Sequence, residues 1–270
     1  MLRARRPHLE LTEDAVPRHW FAGSVVMTHV ANGMNMLFPA GERFFMRSVA
    51  HYAARIEDPT LRAEVRGFFG QEGQHARAHE QDFARLRAQG YAIDGFLRVY
   101  ERIVYGVLEK VCPPALNLAS TAACEHFTAI LAEGALEGGV LDDAHPTMRA
   151  LLLWHAAEEI EHKHVAFDVL AAMHPSYPLR IAGLALATVN LATFWVLGAL
   201  TLLAQERPNG RALAEELRRL RTRRPMVAGV FVRGIREYLR PGFHPRDNDN
   251  YALAAEYLQQ VGLEGQAVAA

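Results

Sequence analysis

The sequence is short of cysteine, of net charge and of strand-type patterning, and each shortage excludes a class of protein. Its 270 residues include two cysteines, Cys112 and Cys124, which are too few for a disulfide framework and lack the pairing of a zinc site. The formal net charge of −1 creates no overall field that would attract nucleic acid, so we expect no nucleic-acid partner. We find no flavin or nicotinamide motif.

The first residues do not resemble a secretory signal. Residues 1–6 are basic, but a polar stretch follows where a signal peptide needs an apolar segment. We therefore expect a reducing, cytoplasmic location. Membrane association is an open alternative, because residues 181–204 contain no charge.

Helical spacing of apolar residues recurs along the chain, whereas alternating apolar runs are hard to find, and this predicts an all-α fold. Thr60 is a candidate cap for the second helix, and Gly90 is its expected stop. We expect five helices before residue 175, at about 39–55, 60–89, 97–111, 115–137 and 146–173.

Two copies of the pattern Glu-x-x-His dominate the chain, at Glu72–His75 and Glu159–His162. Glu42 lies 30 positions before the first copy, and Glu125 lies 34 positions before the second. Residues three apart on a helix point the same way. Four helices that supply Glu, Glu-x-x-His, Glu and Glu-x-x-His form the ligand set of carboxylate-bridged di-iron or di-manganese bundles. The spacing thus predicts a four-helix bundle with additional C-terminal helices.

The residues around these motifs favour burial. A single Glu-x-x-His on a helix usually marks a solvated face, but Phe68, Phe69, Trp154 and Ile160 flank the two copies. Acidic side chains on apolar faces are costly unless they are paired or metal-bound. Nitrogen and oxygen donors without thiolate favour two iron ions, with manganese or a mixed iron–manganese pair as alternatives. The predicted metal ligands are Glu42, Glu72, His75, Glu125, Glu159 and His162.

Three further residues share the faces of the predicted ligands. His155 precedes Glu159 by four positions, and His79 follows His75 by four, so each is a candidate partner behind the ligands or an additional ligand. Glu158 competes with Glu159, but Glu159 matches the spacing of the first copy. We therefore expect His79, His155 and Glu158 to support the site.

The chain divides into an N-terminal segment (1–38), a di-metal bundle (39–175) and a C-terminal helical extension (176–270). Residues 181–204 are long enough to span a membrane. Arginines crowd the stretch 207–224, which would hold that flank in the cytoplasm and export the bundle. We therefore favour a helix that packs on the bundle or touches a membrane face over a true span.

Several segments resemble a bacterial family of predicted metal-dependent hydrolases. The resemblance lies in Gly41–Arg47, Gly70–His75, Glu158–His164 and Tyr238–Pro245, and so covers most of the chain. The ligand pattern also resembles the ferritin-like di-iron superfamily, which includes ribonucleotide reductase small subunits, acyl desaturases and multicomponent monooxygenases. That resemblance implies the same six ligand positions: Glu42, Glu72, His75, Glu125, Glu159 and His162.

We expect a dioxygen-activating oxidoreductase that oxidises a small apolar substrate and depends on an external reductase. A metal-dependent hydrolase, in which a bridging hydroxide attacks an ester, amide or phosphate, is the alternative. A non-catalytic iron-handling protein is a second alternative. Hydrolysis usually needs a positioned acid and oxyanion donors, and no motif for either stands out, so the prediction favours oxidation. A homodimer is an open alternative.

Overall fold

The computed structural model of the protein describes residues 2–206, 210–222, 226–264 and 266. Within these ranges no strand forms, and a single antiparallel bridge joins Phe21 to Ala144. The prediction of an all-α fold is confirmed. The helices are α1 (Val25–Asn35), α2 (Phe38–Ala53), α3 (Pro59–Ala88), α4 (Asp94–Ile103), α5 (Glu109–Val111), α6 (Pro114–Glu137), α7 (Pro146–His162), α8 (Val165–Met173), α9 (Tyr177–Glu206), α10 (Gly210–Thr222), α11 (Met226–Tyr238) and α12 (Tyr251–Gln260).

The second predicted helix, α3, has the expected extent but a different cap. Asp58, and not Thr60, caps it, because the Asp58 carboxylate accepts the Thr60 backbone N–H at 2.9 Å. Gly90 follows the helix with a φ of +89°, a value that glycine adopts at little cost. The cap prediction is wrong by two residues, whereas the stop prediction is confirmed.

Two predicted helices are interrupted. The third contains a π-helical turn, Val104–Leu108, between α4 and α5. The fifth breaks at Lys163, and its two parts are α7 and α8. The Lys163 ammonium donates to the backbone carbonyl of Asn248 and to the side chain of Asn250, so tertiary contacts override the local helical pattern there.

The segment 1–38 contains a helix that the periodicity did not reveal. Ser24 caps α1, and Trp20 donates from its indole nitrogen to Asn32 at 2.9 Å. A Cβ on Gly33 would lie 2.7 Å from the backbone nitrogen of Ala199, so α1 and α9 are in backbone contact. The asparagines and glycine of α1 lower its local helix propensity, and packing on α9 compensates.

Helix α9 forms one wall of the bundle. It packs along α1, α4 and α6, and a Cβ on Gly183 would lie 2.4 Å from the carbonyl carbon of Ala119 in α6. It is the one described helix that is long and apolar enough to cross a membrane by length and composition, and 28 % of its most apolar window is buried. Arg207, Arg223 and Arg224, from the predicted basic stretch, lie outside the described residues. The three-part division of the chain remains a prediction.

Candidate metal centre

The six predicted ligands meet in the interior of the bundle. Helix α2 contributes Glu42, α6 contributes Glu125, and α3 and α7 each contribute one Glu-x-x-His pair. Each of the six side chains belongs to a residue that is at most 4 % exposed. Isolated carboxylates are rarely buried to this extent without a cation or a hydrogen-bond partner.

Glu72 and Glu159 lie between the two histidines. Oε1 of Glu72 is 3.9 Å from Nδ1 of His75 and 3.0 Å from Nε2 of His162. Glu159 presents Oε1 to His75 at 3.8 Å and Oε2 to His162 at 3.6 Å. Glu125 lies on the His162 side, with Oε2 3.3 Å from Nε2. Two carboxylates that face both imidazoles suit a pair of bridged metal ions.

Most of the atoms that face the centre have no hydrogen-bond partner within the described part of the chain; the exception is Glu159, whose two oxygens are hydrogen-bonded to His155 and Thr128. Both carboxylate oxygens of Glu42, Glu72 and Glu125 are buried and unpartnered. Nδ1 of His75 and Nε2 of His162 are also unpartnered. Buried polar groups are normally satisfied, and this concentration of free donor atoms in one place fits metal binding. These residues therefore fit the pair of metal ions that the Glu and Glu-x-x-His pattern predicts.

In each of the two histidines, the ring nitrogen that points away from the centre has a hydrogen-bond partner. Nε2 of His75 lies 2.9 Å from Oε2 of Glu158, and Nδ1 of His162 lies 3.0 Å from Oε1 of Gln71. Such partners fix the ring orientation and leave the other nitrogen free for a metal. Glu158, which was predicted to support the site, thus contacts His75, whereas Gln71, one residue before Glu72, was not predicted.

Arg5 links Glu158 and Gln71, the residues that contact the two histidines, directly in the first case and through Glu161 in the second. Its guanidinium donates to Glu158 at 3.1 Å and makes two hydrogen bonds to Glu161, at 2.7 and 2.9 Å. Glu161 in turn accepts from Nε2 of Gln71 at 2.7 Å. Neither Arg5 nor Glu161 was predicted from the sequence. Glu161 lies within the run Glu158–His164, but no local pattern marks an arginine in the N-terminal segment as a partner of α7.

His155 lies directly against the centre. Its Nε2 is 2.8 Å from Oε1 of Glu159 and 3.6 Å from Oε1 of Glu42, while its Nδ1 is 2.7 Å from Nε2 of His79. Ligand-type atoms of Glu42, His79 and His155 all lie within 4.8 Å of one another. His155 thus contacts two predicted ligands, and His79 contacts His155.

In the protein alone, electrostatics favour the protonated form of Glu42, Glu72 and Glu125 and the ionised form of Glu159. Burial, with Glu72 and Glu159 nearby, holds the pKa of Glu42 well above its ordinary value. Burial and Glu159 raise the pKa of Glu125 to about 7. Burial would also raise the pKa of Glu159, but His162 and His155 outweigh it and hold that pKa well below the usual range. Bound cations would favour the ionised form of every carboxylate here.

An apolar cavity adjoins the centre. It has about 840 Å³ of empty space, including its opening to solvent, and Glu42 and Thr128 lie in its wall. The Thr128 hydroxyl donates to Oε2 of Glu159. Most of the remaining wall is aliphatic or aromatic and comes from α2, the π turn, α6 and α9, including Phe38, Phe45, Val104, Leu108, Leu131, Leu186 and Leu191.

A comparison with protein families identifies the family to which the chain belongs. A family model described as "Predicted metal-dependent hydrolase" matches residues 3–249. The chain belongs to this family. The match begins before Arg5 and extends past the Tyr238–Pro245 segment, so the family covers the N-terminal segment as well as the bundle. No curated protein and no solved structure matches the chain.

Family membership corrects the predicted reaction. The expectation of a dioxygen-activating oxidoreductase is wrong, because the family is one of predicted hydrolases, and hydrolysis was the alternative. The error has a physical origin: glutamate and histidine ligands suit both redox and hydrolytic metal centres, so the ligand set does not select a reaction. Metal dependence agrees with the family and with the Glu/His clusters.

Proposed function

We propose that the protein hydrolyses an ester with an apolar acyl chain, using two metal ions held by the six predicted ligands. The observation that carries the proposal is the contact between the buried centre and the apolar cavity through Glu42. Iron or manganese suits these nitrogen and oxygen donors. When bound, the ions would lower the pKa of a coordinated water and polarise the carbonyl group.

The cavity wall favours a neutral substrate. Its charged members are Glu42 and Glu109, and no lysine or arginine belongs to it among the residues described. A phosphate ester would normally meet cationic side chains. An acyl chain would instead lie against Phe38, Phe45 and Leu191, with its ester group near Glu42.

Burial keeps two residues of the cavity wall protonated at neutral pH. Burial raises the pKa of the Cys124 thiol to about 12, so Cys124 is not a thiolate nucleophile at neutral pH. Burial and Tyr100 hold the pKa of Tyr105 well above its usual value, so its hydroxyl remains a hydrogen-bond donor. The two tyrosine hydroxyls lie 2.6 Å apart, beside Gly41. Tyr100 donates to the Leu37 carbonyl at 3.3 Å, so Tyr105 donates to Tyr100, and a substrate oxygen would have to displace that hydrogen bond to accept from Tyr105.

Metal analysis and ester hydrolysis test the proposal together. Protein purified without added metal should contain two metal ions per chain and hydrolyse p-nitrophenyl esters, with longer acyl chains preferred over acetate. Glu125→Ala should lose both metal and activity, whereas Glu137→Ala, which removes an exposed glutamate from the same helix, should lose neither. Retention of both metals in Glu125→Ala, or no metal-dependent hydrolysis of any ester by the wild type, would overturn the proposal.

A second variant tests the cavity separately from the centre. Leu191→Trp places a larger side chain in the wall, far along the sequence from every predicted ligand. We expect it to keep its metal and its activity on acetate but to lose activity on long-chain esters. An unchanged chain-length preference would show that the acyl group binds elsewhere.

A further inference from the structure

Helix α4, the π turn and α5 carry a row of exposed apolar side chains. Val99, Ile103, Val107 and Val111 follow one another at intervals of four, and their exposed fractions are 55, 44, 50 and 70 %. Residues four apart share one side of a helix. Soluble proteins seldom leave such a row uncovered unless it binds something.

Helix α9 carries a second exposed apolar face. Val189, Val196, Leu197 and Leu200 are each between 46 and 64 % exposed, within a stretch of 24 residues that has no charge. The two elements pack side by side: the Tyr100 and Phe194 rings lie 5.0 Å apart. A Cβ on Gly198 would lie 3.2 Å from the Phe96 ring. The exposed faces therefore belong to neighbouring helices.

Basic side chains lie along one edge of this apolar row. Arg98, Arg102 and Lys110 are exposed, and each immediately precedes a member of the apolar row. Glu101 lies on the opposite side of the helix from Val99, but it is three positions after Arg98 and is therefore a neighbour of that arginine. An apolar stripe edged by basic side chains is typical of helices that lie in the interface of an anionic membrane.

The same elements form part of the cavity wall. Tyr105 and Leu108 of the π turn face the cavity, as do Leu186 and Leu191 of α9. A lipid surface in contact with the outer faces would thus lie one helix thickness from the space proposed for the acyl chain. Such a position would allow an apolar ester to pass from the bilayer to the site without crossing water.

We propose that α4, the π turn, α5 and α9 form a docking surface for an anionic phospholipid bilayer, on which the protein lies without spanning it. The basic side chains along the apolar row supply the attraction to anionic headgroups, and the eight exposed apolar side chains enter the interface. Docking itself stands apart from the reaction, whereas substrate delivery from the bilayer rests on the proposed ester hydrolysis.

Vesicle sedimentation of the full chain tests docking. The wild type should sediment with vesicles of phosphatidylglycerol and phosphatidylcholine, and binding should weaken at high salt and on pure phosphatidylcholine. Val99→Glu combined with Val107→Glu should reduce the bound fraction roughly tenfold or more, and so should Arg98→Glu combined with Arg102→Glu. The matched controls, Val261→Glu and Arg66→Glu combined with Arg77→Glu, alter exposed positions elsewhere and should bind as the wild type does.

The remaining outcomes are decisive. A wild type that stays in the supernatant overturns the proposal, and so do controls that lose binding as fully as the α4 variants. A stable dimer in light scattering that dissociates in Val99→Glu/Val107→Glu, without vesicle binding, would assign the surface to a second copy of the chain. Hydrolysis of soluble p-nitrophenyl acetate, measured on the same variants, should be unchanged. Vesicle binding without any ester hydrolysis would overturn the proposed function and leave docking in place.

Discussion

Arg5 donates a hydrogen bond to Glu158 at 3.1 Å, although 153 positions separate the two residues. The other oxygen of Glu158 accepts from Nε2 of His75, whose Nδ1 faces Glu72 across 3.9 Å. The N-terminal segment therefore orients a predicted metal ligand in the middle of the bundle. Arg5 is 4 % exposed and Glu158 is fully buried, so little solvent screens the pair.

Replacing Arg5 should weaken metal binding. Arg5→Ala leaves Glu158 and Glu161 without their cation, which frees His75 and, through Gln71, His162 to reorient. Loss of such supporting contacts typically lowers metal affinity about 10- to 100-fold. Losing a hydrogen bond to a charged group costs about 1.5–3 kcal/mol of stability. Metal titration and urea denaturation would measure the two effects.

Arg149 provides the control for Arg5. It pairs with Asp142 at 3.1 Å on the surface, where an ion pair contributes at most about 1 kcal/mol. Arg149→Ala should leave metal affinity unchanged. Glu158→Gln keeps an oxygen for His75 and should fall between the two. Equal affinity in Arg5→Ala and Arg149→Ala would contradict the supporting role.

Removing the metal should make stability fall as pH rises. In the chelated protein the folded-state pKa of Glu125 is about 7, against an ordinary value of 4.5, and those of Glu42 and Glu72 are also raised. A raised carboxyl pKa means that the folded state binds the extra proton more tightly. Its stabilising effect is full below pH 4.5 and is lost as pH rises through about 7.

Thermal unfolding checks this prediction. The melting temperature of chelated protein should drop between about pH 5 and pH 8. Metal-loaded protein should lack the drop, because the cations favour the ionised carboxylates. Glu125→Gln removes one titrating group and should flatten the curve of the chelated protein. A chelated wild type that becomes more stable over this range would show that buried histidines dominate, since burial holds the pKa values of His75 and His79 well below the ordinary 6.5.

The sequence predicted that six residues spaced along four helices would meet, and the structure brings them together, whereas their role as metal ligands remains a prediction. Glu42, Glu125 and the two Glu-x-x-His pairs lie on four helices, and the spacing of these ligand residues predicted that they would converge. The apolar flanks, such as Phe68 and Trp154, correctly indicated burial. The all-α fold class followed from the helical spacing of apolar residues along the chain.

Tertiary contacts account for what was missed. Arg5 reaches α7 from a segment with no periodic pattern, and α1 depends on packing against α9. The break after His162 arises where Lys163 contacts Asn248 and Asn250, partners that lie more than 80 positions away. The reaction could not be read from the ligands either, since donor type constrains the metal and not the bond that is broken.

His155 should affect metal affinity more than other histidines outside the predicted six. Its Nε2 contacts Glu159 at 2.8 Å and approaches Glu42 at 3.6 Å, so its loss changes the surroundings of two ligands. We expect His155→Ala to weaken metal binding about 10- to 100-fold, as measured by competition with a chromogenic chelator. His51→Ala, at an exposed position of α2, is the control. Identical affinities in the two variants would remove His155 from the site.

Gly183 should be intolerant of any side chain, because α9 meets α6 there in backbone contact. A Cβ would lie 2.4 Å from the carbonyl carbon of Ala119 and 2.5 Å from its oxygen, so the helices would have to separate. We expect Gly183→Ala to cost about 1–3 kcal/mol in urea denaturation of the chelated protein. Gly73→Ala, in the interior of α3 with no atom within 4 Å of the new Cβ, should instead gain about 0.5–1 kcal/mol. If both variants were stabilised alike, α9 would not be held against the helix that carries Glu125, and the cavity would lose that wall.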